Sequence, residues 1–218
     1  MISIVSTNDG SDTILNSDLN STYHSVKGAL QESLHVYIKE GFRKVNSELY
    51  KRCILEVGYG TGLNAWLTYL DVLNNPLLEV EYTALEPFPL EQEVVLQLNF
   101  PLLIDSEISF NQFHIDLKEN KLNTRFKLKM VNEKWEAFKK TNSFDLIYFD
   151  AFSPDIQPEM WTCESMKKIA DCLKINGIWV TYSSKGEVRR NLINNGLLLE
   201  RIAGPPGKRH MLRATKYS

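Results

Sequence analysis

Cysteine is scarce in this chain of 218 residues, and the three that are present stand at positions 53, 163 and 172. Their number is odd and no Cys-x-x-Cys pair occurs, so the sequence predicts neither a disulfide framework nor a zinc site. Long hydrophobic runs are also missing, because no stretch approaches the roughly 20 apolar residues that a membrane-spanning helix needs. The first residues, Met1-Ile2-Ser3-Ile4-Val5, lack the basic and then apolar pattern of a signal peptide. We therefore expect a cytoplasmic globular protein that does not contact a membrane.

Three glycines at alternate positions mark the segment around which the rest of the chain is organised. An apolar strand pattern from Cys53 to Val57 runs into Gly58, Gly60 and Gly62, and a helical pattern starts at Leu63. Glycine adopts backbone dihedrals that other residues avoid, and its missing Cβ lets a ligand approach the backbone closely. The sequence therefore predicts a strand, a tight turn and a helix N-terminus that bind a nucleotide-like molecule. The alternative is a loop that only turns the chain.

The residues around these glycines indicate which nucleotide-like molecule is bound. A dinucleotide fingerprint requires glycine where this chain has Leu63. Glu56 precedes the first glycine by two residues, where a carboxylate repels a pyrophosphate but attracts a cation, directly or through water. S-adenosylmethionine carries an ammonium and a sulfonium group and no phosphate, so it is the predicted cofactor. The predicted cofactor-binding residues of this segment are Glu56, Gly58, Gly60, Gly62 and Asn64.

Strand and helix patterns alternate along most of the chain. This alternation predicts an α/β fold with a Rossmann-like, doubly wound and mostly parallel sheet. The last two strand patterns, Leu197 to Ile202 and Arg209 to Thr215, have no helix between them and predict an antiparallel C-terminal pair. Two short strand patterns flank Asn8-Asp9-Gly10-Ser11, which is typical of a hairpin. We therefore predict an N-terminal β-hairpin and helix extension over residues 1–45 and a nucleotide-binding domain over residues 46–218. Helices are predicted, among others, over residues 29–38, 90–98, 100–115, 133–139 and 158–173.

Two acidic residues follow predicted strands, at the edge of the sheet where open α/β folds bind ligands. Glu86 ends the second strand of the nucleotide-binding domain, about 24 residues past the glycines, where a carboxylate accepts hydrogen bonds from both hydroxyls of a ribose. Asp150 follows the apolar strand Phe144–Phe149, where a carboxylate is placed to take a proton from an amine. The alternatives are a surface carboxylate at 86 and a turn-capping carboxylate at 150.

Charge is distributed unevenly, although the net charge of the whole chain is only -2. Residues 185–218 hold eight Lys or Arg against two acids, which leaves 17 basic and 25 acidic residues, a net charge of -8, on the remainder. A basic face of this kind is typical of proteins that bind a polyanion, and the alternative is an ordinary solvated surface. The candidate phosphate contacts are Lys185, Arg189, Arg190, Lys208 and Arg209.

Together these motifs resemble class I S-adenosylmethionine-dependent methyltransferases. More narrowly, ordered segments spread over about residues 10–215 are similar to the methyltransferase domain of the bacterial MnmC family. These segments are Thr22-Tyr23-His24-Ser25, Gly28-Ala29-Leu30 with Glu32, His35-Val36, Asp150-Ala151-Phe152-Ser153-Pro154, Pro158-Glu159-Met160-Trp161 and Gly207-Lys208-Arg209-His210-Met211-Leu212. Members of that family make the methylaminomethyl group of the wobble uridine in tRNA. The resemblance implies that S-adenosylmethionine methylates the exocyclic amine of 5-aminomethyl-2-thiouridine, with the tRNA anticodon stem-loop as partner.

The resemblance also implies roles for individual residues. Asp150 is the predicted catalytic residue, since it can take or steer the proton of the substrate ammonium. A base that has left its stack is commonly held by aromatic rings, so Tyr23 and Phe152 are predicted to contact the substrate and His24 to line the pocket. At the adenine edge the family tends to have Gly-Asp where this chain has Asn132-Glu133, and Glu133 is the predicted adenine contact.

One departure from the family concerns the second enzymatic activity of its members. MnmC proteins are usually bifunctional, with a flavin-dependent oxidase half, and this chain has no second glycine-rich fingerprint. We therefore expect a stand-alone methyltransferase that depends on another enzyme, such as a separate oxidase, for its substrate. Two alternatives are kept: a methyltransferase or aminopropyltransferase acting on a small-molecule amine, and a non-catalytic binding module with the cofactor fold. Leu63 and Glu56 make a dehydrogenase the least favoured interpretation.

Overall fold

The computed structural model of the chain describes residues 1–106, 108–119 and 123–217. A small antiparallel sheet at the N-terminus comprises β1 (Ile2–Ser6), β2 (Asp12–Asn16) and β3 (Ser21–Thr22). The first two strands form the predicted hairpin, with Ile4 opposite Ile14. Its turn is attached to the rest of the molecule through Asn99, whose side-chain amide donates to the carbonyl of Gly10 at 2.8 Å.

The second sheet has seven strands and contains the edge at which the predicted ligand residues lie. Its strands are β4 (Lys51–Val57), β5 (Glu79–Leu85), β6 (Phe126–Val131), β7 (Phe144–Phe149), β8 (Leu173–Thr181), β9 (Leu197–Ala203) and β10 (His210–Lys216). Their order is β6-β5-β4-β7-β8-β10-β9, and all neighbours are parallel except β10, which is antiparallel to both β8 and β9. The predicted doubly wound sheet with an antiparallel C-terminal pair is thus confirmed.

Helices connect these strands and cover the sheet. They are α1 (Ala29–Ser33), which continues as a π-helix (Leu34–Lys39), a 3₁₀ helix (Phe42–Lys44), α2 (Leu63–Leu73), α3 (Gln92–Val95), α4 (Phe100–Leu103), α5 (Phe110–Glu119), a second 3₁₀ helix (Pro158–Trp161), α6 (Cys163–Ala170) and α7 (Gly186–Asn194). Within the residues that the structure describes, no helix has both the length and the apolar character needed to cross a membrane.

The helix predicted over residues 158–173 is wrong in its extent. The chain makes one 3₁₀ turn and restarts at Thr162, whose side-chain oxygen accepts a hydrogen bond from the backbone N–H of Ser165 and caps α6. Leu173 already pairs with Phe144 in the sheet, so β8 begins where the helix was predicted to end.

Three other helix predictions are also wrong, two in extent and one in the presence of a helix. The segment 100–115 forms two helices, because Ile104 has an extended backbone with φ of -123° and ψ of 116°. The helix predicted over 90–98 is reduced to α3, and residues 133–139 make a turn instead of a helix. The helix predicted over 29–38 is confirmed in extent, as an α-helical turn that continues as a π-helix to Lys39. Short apolar patterns do not determine helix length, since most helical stability comes from tertiary packing.

The large sheet is covered by hydrophobic clusters on both faces. Alternate residues along β4 separate accordingly, with Ile54 in the cluster that contains Trp66 and Leu55 in the cluster that contains Trp179. All six residues of β7 are buried, as expected for a central parallel strand. The carboxyl end of β7 is therefore a rigid support for the residue that follows it, Asp150.

Candidate functional site

The carboxyl ends of β4 and β7 form a crevice in the large sheet. The chain leaves β4 toward β5 and β6 on one side and returns to β7 on the other, so the crevice is a topological switch point, where such sheets bind ligands. Gly58 follows β4 and Asp150 follows β7, and the backbone N–H of Asp150 donates to the carbonyl of Val57 at 2.9 Å. Glu86 follows β5, and its N–H donates to the carbonyl of Val131 at 3.1 Å. Residues predicted from separate motifs therefore meet at one edge.

The first two glycines of the loop adopt left-handed backbone conformations, and a side chain would be crowded at both positions. Gly58 has a φ of +87°, and a Cβ added there would lie 2.6 Å from the carbonyl oxygen of Asp150. Gly60 has a φ of +51°, and an added Cβ would lie 3.1 Å from the ring of Tyr23. Both positions favour glycine, since other residues rarely adopt this backbone conformation. The loop thus exposes bare backbone between β4 and the N-terminal sheet.

Two cavities open at this edge and share a wall. The larger cavity has a volume of about 470 Å³, and Glu86 and Glu133 are among its lining residues. The smaller cavity has a volume of about 300 Å³ and is lined by Asp150 and the three polar residues Glu32, Tyr182 and Lys208, among others. The residues that line both cavities are Tyr23, Gly58, Ala151 and Phe152. A ligand that passes over Gly58 can therefore reach both cavities.

Asp150 lines the smaller cavity, and each of its carboxylate oxygens accepts a hydrogen bond. The hydroxyl of Tyr37 donates to Oδ1 at 2.5 Å, and the side-chain amide of Asn64 donates to Oδ2 at 2.9 Å. Burial raises the pKa of Asp150 to about 7, against the opposing effect of these two donors. The group can therefore exchange a proton close to neutral pH. Tyr37 itself is fully buried in the π-helix, a helix type that is frequent at functional sites.

Glu56 and Asn64 lie behind the cavities and line neither of them. The amide group of Asn64 that donates to Asp150 also donates to Glu56 Oε1 at 2.9 Å. Glu56 is fully buried, and burial raises its pKa well above the usual range, to which the neighbouring Asp150 contributes. One amide group thus connects the two carboxyl groups.

Glu86 and Glu133 line the larger cavity. The carboxylate of Glu86 accepts the backbone N–H of Phe88 at 3.0 Å and that of Gly60 at 3.4 Å, so it is held at the glycine loop. Trp135 lines the same cavity and was not selected from the sequence, because it falls within the segment that was predicted to be an ordinary helix.

Tyr23 and Phe152 contact each other, with ring centroids 5.0 Å apart and ring planes at 70°. A base cannot lie between two rings in this arrangement, but each ring presents a surface to both cavities. His24 lines the smaller cavity, and its Nε2 lies 2.8 Å from the hydroxyl of Thr61. Burial lowers the pKa of His24 to about 4, so the imidazole is neutral at physiological pH.

The structure separates the five basic candidates into two groups. Lys208 points into the smaller cavity and forms an ion pair with Glu32. The other four are exposed, and among them Lys185 forms an ion pair with Asp155. Arg189, Arg190 and Arg209 are the remaining exposed members.

Tyr37 was not found from the sequence as a functional residue. Its position fits the apolar stripe of the predicted helix over 29–38, and its partner Asp150 lies 113 residues further along the chain. A contact between residues so far apart in the sequence cannot be predicted from a pattern of neighbouring residues. Glu32 was noted in the sequence only as part of a family segment. A signal for Glu32 was therefore present, but its role was not assigned.

Comparisons with known proteins identify relatives of the chain. Residues 102–217 match a family model described as an S-adenosyl-L-methionine-dependent methyltransferase. The tRNA 5-methylaminomethyl-2-thiouridine biosynthesis bifunctional protein MnmC of Campylobacter fetus is 26% identical, over 94% of this chain and 34% of its own length. The protein of the same name from Leptospira borgpetersenii is 29% identical, over 90% of this chain and 32% of its own length. The chain thus spans about a third of the length of these curated relatives.

Solved structures give a similar result. The crystal structure of MNMC2 from Aquifex aeolicus superimposes with a TM-score of 0.82 at 28% identity, covering 99% of this chain and 70% of that one. A spermidine synthase structure superimposes with a TM-score of 0.51 at 15% identity, over 94% of this chain and 68% of that one. This second likeness concerns the fold alone.

Proposed function

The chain belongs to a family of S-adenosyl-L-methionine-dependent methyltransferases, and we propose that it methylates the exocyclic amine of 5-aminomethyl-2-thiouridine at the wobble position of tRNA. The observation that carries the proposal is the placement of Asp150, a carboxyl group with a pKa of about 7 in the smaller cavity, next to the wall shared with the larger one. The likeness to MnmC proteins over 94% of the chain supports this choice of acceptor.

The larger cavity suits the adenosine part of the cofactor. Its volume of about 470 Å³ lies within the range of cofactor sites, and the carboxylate of Glu86 is held at its edge, where it can accept both ribose hydroxyls. We assign Glu133 to the adenine amino group and the bare backbone of Gly58 and Gly60 to the passage into the smaller cavity. When bound, S-adenosylmethionine supplies an electrophilic methyl group, which an uncharged amine nitrogen takes by displacing the thioether sulfur.

Asp150 prepares the acceptor for this reaction. An ammonium group has no free lone pair, so one proton must leave the nitrogen before the methyl group is transferred, and the carboxylate of Asp150 accepts it. A pKa of about 7 lets Asp150 receive this proton at neutral pH and release it afterwards. Tyr37 and Asn64 fix the orientation of the carboxylate from the side that faces away from the cavity. Holding the acceptor in line and away from water supplies the rest of the rate increase.

The tRNA contacts follow from the exposed basic residues. Arg189 and Arg190 lie on α7, which follows the carboxyl end of β8 and so starts at the same edge as the crevice. Together with Arg209 they are exposed and suited to phosphate contacts. Lys185 is the weaker candidate, because Asp155 already neutralises it. Tyr23 and Phe152 offer ring surfaces to a base that has left the anticodon stack.

The decisive experiment is mass spectrometry of tRNA nucleosides from cells that lack this protein. We expect 5-aminomethyl-2-thiouridine to accumulate, and the tRNA from these cells to be methylated by the purified protein with S-adenosylmethionine. An unchanged nucleoside profile together with no methylation of that tRNA would refute the proposal. A gel shift with anticodon stem-loop RNA separates an RNA acceptor from a small amine, because phosphate contacts make the complex weaken steeply with salt.

A further inference from the structure

Lys208 places an ammonium group inside the smaller cavity. The residue follows Gly207 in the short connection between β9 and β10, and its N–H donates to the carbonyl of Pro205 at 2.9 Å. Its Nζ lies 2.5 Å from Glu32 Oε1 and 3.9 Å from the ring centroid of Tyr182. A carboxylate and an aromatic face are groups with which proteins hold ammonium ions. Glu32 and the ring of Tyr182 therefore form an ammonium subsite, which the chain fills with its own side chain.

The ammonium subsite is held in place without help from Lys208. Glu32 Oε2 accepts the backbone N–H of Ser25 at 3.0 Å, and the side chain is only 10% exposed. The hydroxyl of Tyr182 donates to the carbonyl of Ala151 at 2.9 Å, which fixes the ring against the wall of the cavity. Both groups are therefore anchored by partners other than Lys208.

Moving Lys208 into solvent costs less free energy than leaving Glu32 without any cation beside it. The lysine side chain is 32% exposed and has a flexible four-carbon stem, and ion pairs that water reaches contribute little to stability. Glu32 is almost fully buried, and an uncompensated buried carboxylate is strongly unfavourable. A second cation that enters the cavity can therefore replace Lys208 at small cost.

We propose that Glu32 and the ring of Tyr182 bind the ammonium group of the methyl acceptor, and that Lys208 occupies this subsite until the acceptor displaces it. This inference rests on the proposed function, because it assumes a primary amine as acceptor. Asp150 lines the same cavity, so an ammonium group bound at Glu32 is delivered beside the carboxylate that accepts its proton. The lysine also keeps Glu32 neutralised while the cavity holds no substrate.

Ethylammonium chloride is a suitable probe, because it carries the primary ammonium group without a base or a phosphate. Its dissociation constant is measured by NMR titration with S-adenosylhomocysteine present. In Lys208→Met, which keeps the volume of the stem and removes the charge, we expect ethylammonium to bind at least about tenfold more tightly than in the wild type. Adding Glu32→Gln to this variant should abolish the gain. Lys208→Gln should show a smaller gain and serves as a second variant if Lys208→Met does not fold.

The matched control is Lys174→Met. Lys174 also forms an ion pair with a buried carboxylate, Asp145, at 2.9 Å, with side-chain exposures of 40% and 10%, but neither residue lines the cavities. We expect no change in ethylammonium affinity for this variant. The proposal is overturned if both Lys208 variants bind ethylammonium with the affinity of the wild type. It is also overturned if Lys174→Met gains as much affinity for ethylammonium as Lys208→Met does.

This test does not depend on the identity of the natural acceptor. If tRNA is not methylated but Lys208→Met gains affinity for ethylammonium, the tRNA proposal fails and the ammonium subsite stands. If tRNA is methylated and the gain is absent, the ammonium subsite fails and the tRNA proposal stands.

Discussion

Replacing Tyr37 with phenylalanine tests how the fold controls the proton on Asp150. The tyrosine hydroxyl donates to Asp150 Oδ1 at 2.5 Å, and the ring packs against Tyr148 with centroids 5.2 Å apart. Phenylalanine keeps the ring and removes only the donor. Because this donor stabilises the charged form of the carboxyl group, its loss raises the pKa of Asp150.

The size of this effect follows from the strength of a hydrogen bond to a charged group. Such a bond has a net value of about 1.5 kcal/mol, which corresponds to about one pKa unit. The pKa of Asp150 should then rise from about 7 to about 8. The ionised fraction would fall about eightfold at a pH of about 6.5, but by less than about a tenth at a pH of about 9. Activity should therefore be lost mainly on the acid side.

The assay is the pH dependence of kcat/KM for methyl transfer, which reports the ionisation of groups in the free enzyme. The control is Tyr69→Phe, which removes a hydroxyl from a buried ring that packs against Phe113 and Phe126, away from the cavities. We expect the acid limb of the kcat/KM profile to move by about one pH unit to higher pH in Tyr37→Phe. In the control it should not move. An equal loss of activity at every pH would mean that Tyr37 only supports packing, and our account of Asp150 would be refuted.

Further predictions concern the other parts of the site. Asp150→Asn should lower kcat by about 10²-fold to 10⁴-fold while calorimetry shows S-adenosylmethionine binding preserved, and comparable losses of binding and rate would contradict a catalytic role. Glu86→Ala should weaken S-adenosylmethionine binding by about tenfold to a hundredfold in the same calorimetric assay, because two hydrogen bonds to a charged acceptor are lost. Gly58→Ala should lower the melting temperature and weaken cofactor binding, since the new Cβ would lie 2.6 Å from the carbonyl oxygen of Asp150; a variant that melts and binds like the wild type would refute the close approach. Arg189→Ala with Arg190→Ala should lower affinity for anticodon stem-loop RNA and reduce the slope of log K against log salt by about two, with cofactor affinity unchanged; an unchanged slope would place the RNA elsewhere.

Much of the architecture could be predicted because it depends on local patterns. Apolar strands that alternate with helices imply a parallel sheet, and the missing helix between the last two strands implies their antiparallel pairing. Helix extents were predicted poorly, as in the segment 158–173, where a cap at Thr162 and the pairing of Leu173 with Phe144 determine the outcome. Pairing between strands that are far apart along the chain cannot be predicted from a short stretch of sequence.

Residues that directly follow predicted strands were correctly predicted to lie at the crevice. Gly58, Glu86 and Asp150 lie there because the carboxyl ends of parallel strands share one edge of a sheet. The role predicted for Glu56, attraction of a cationic cofactor, stays a prediction, and the structure places this residue behind the cavities. Its environment depends on burial and on the amide of Asn64, which are properties of the folded chain.

The sequence by itself determined the fold class, the glycine loop and the strand-end acids, because these follow from periodicity and from positions close together along the chain. Only the tertiary structure decided the protonation of Asp150 and the placement of Lys208. The first depends on burial and then on a hydroxyl 113 residues away, and the second depends on a carboxylate 176 residues away. Burial and distances between remote side chains set these properties, and both come into existence only when the chain has folded.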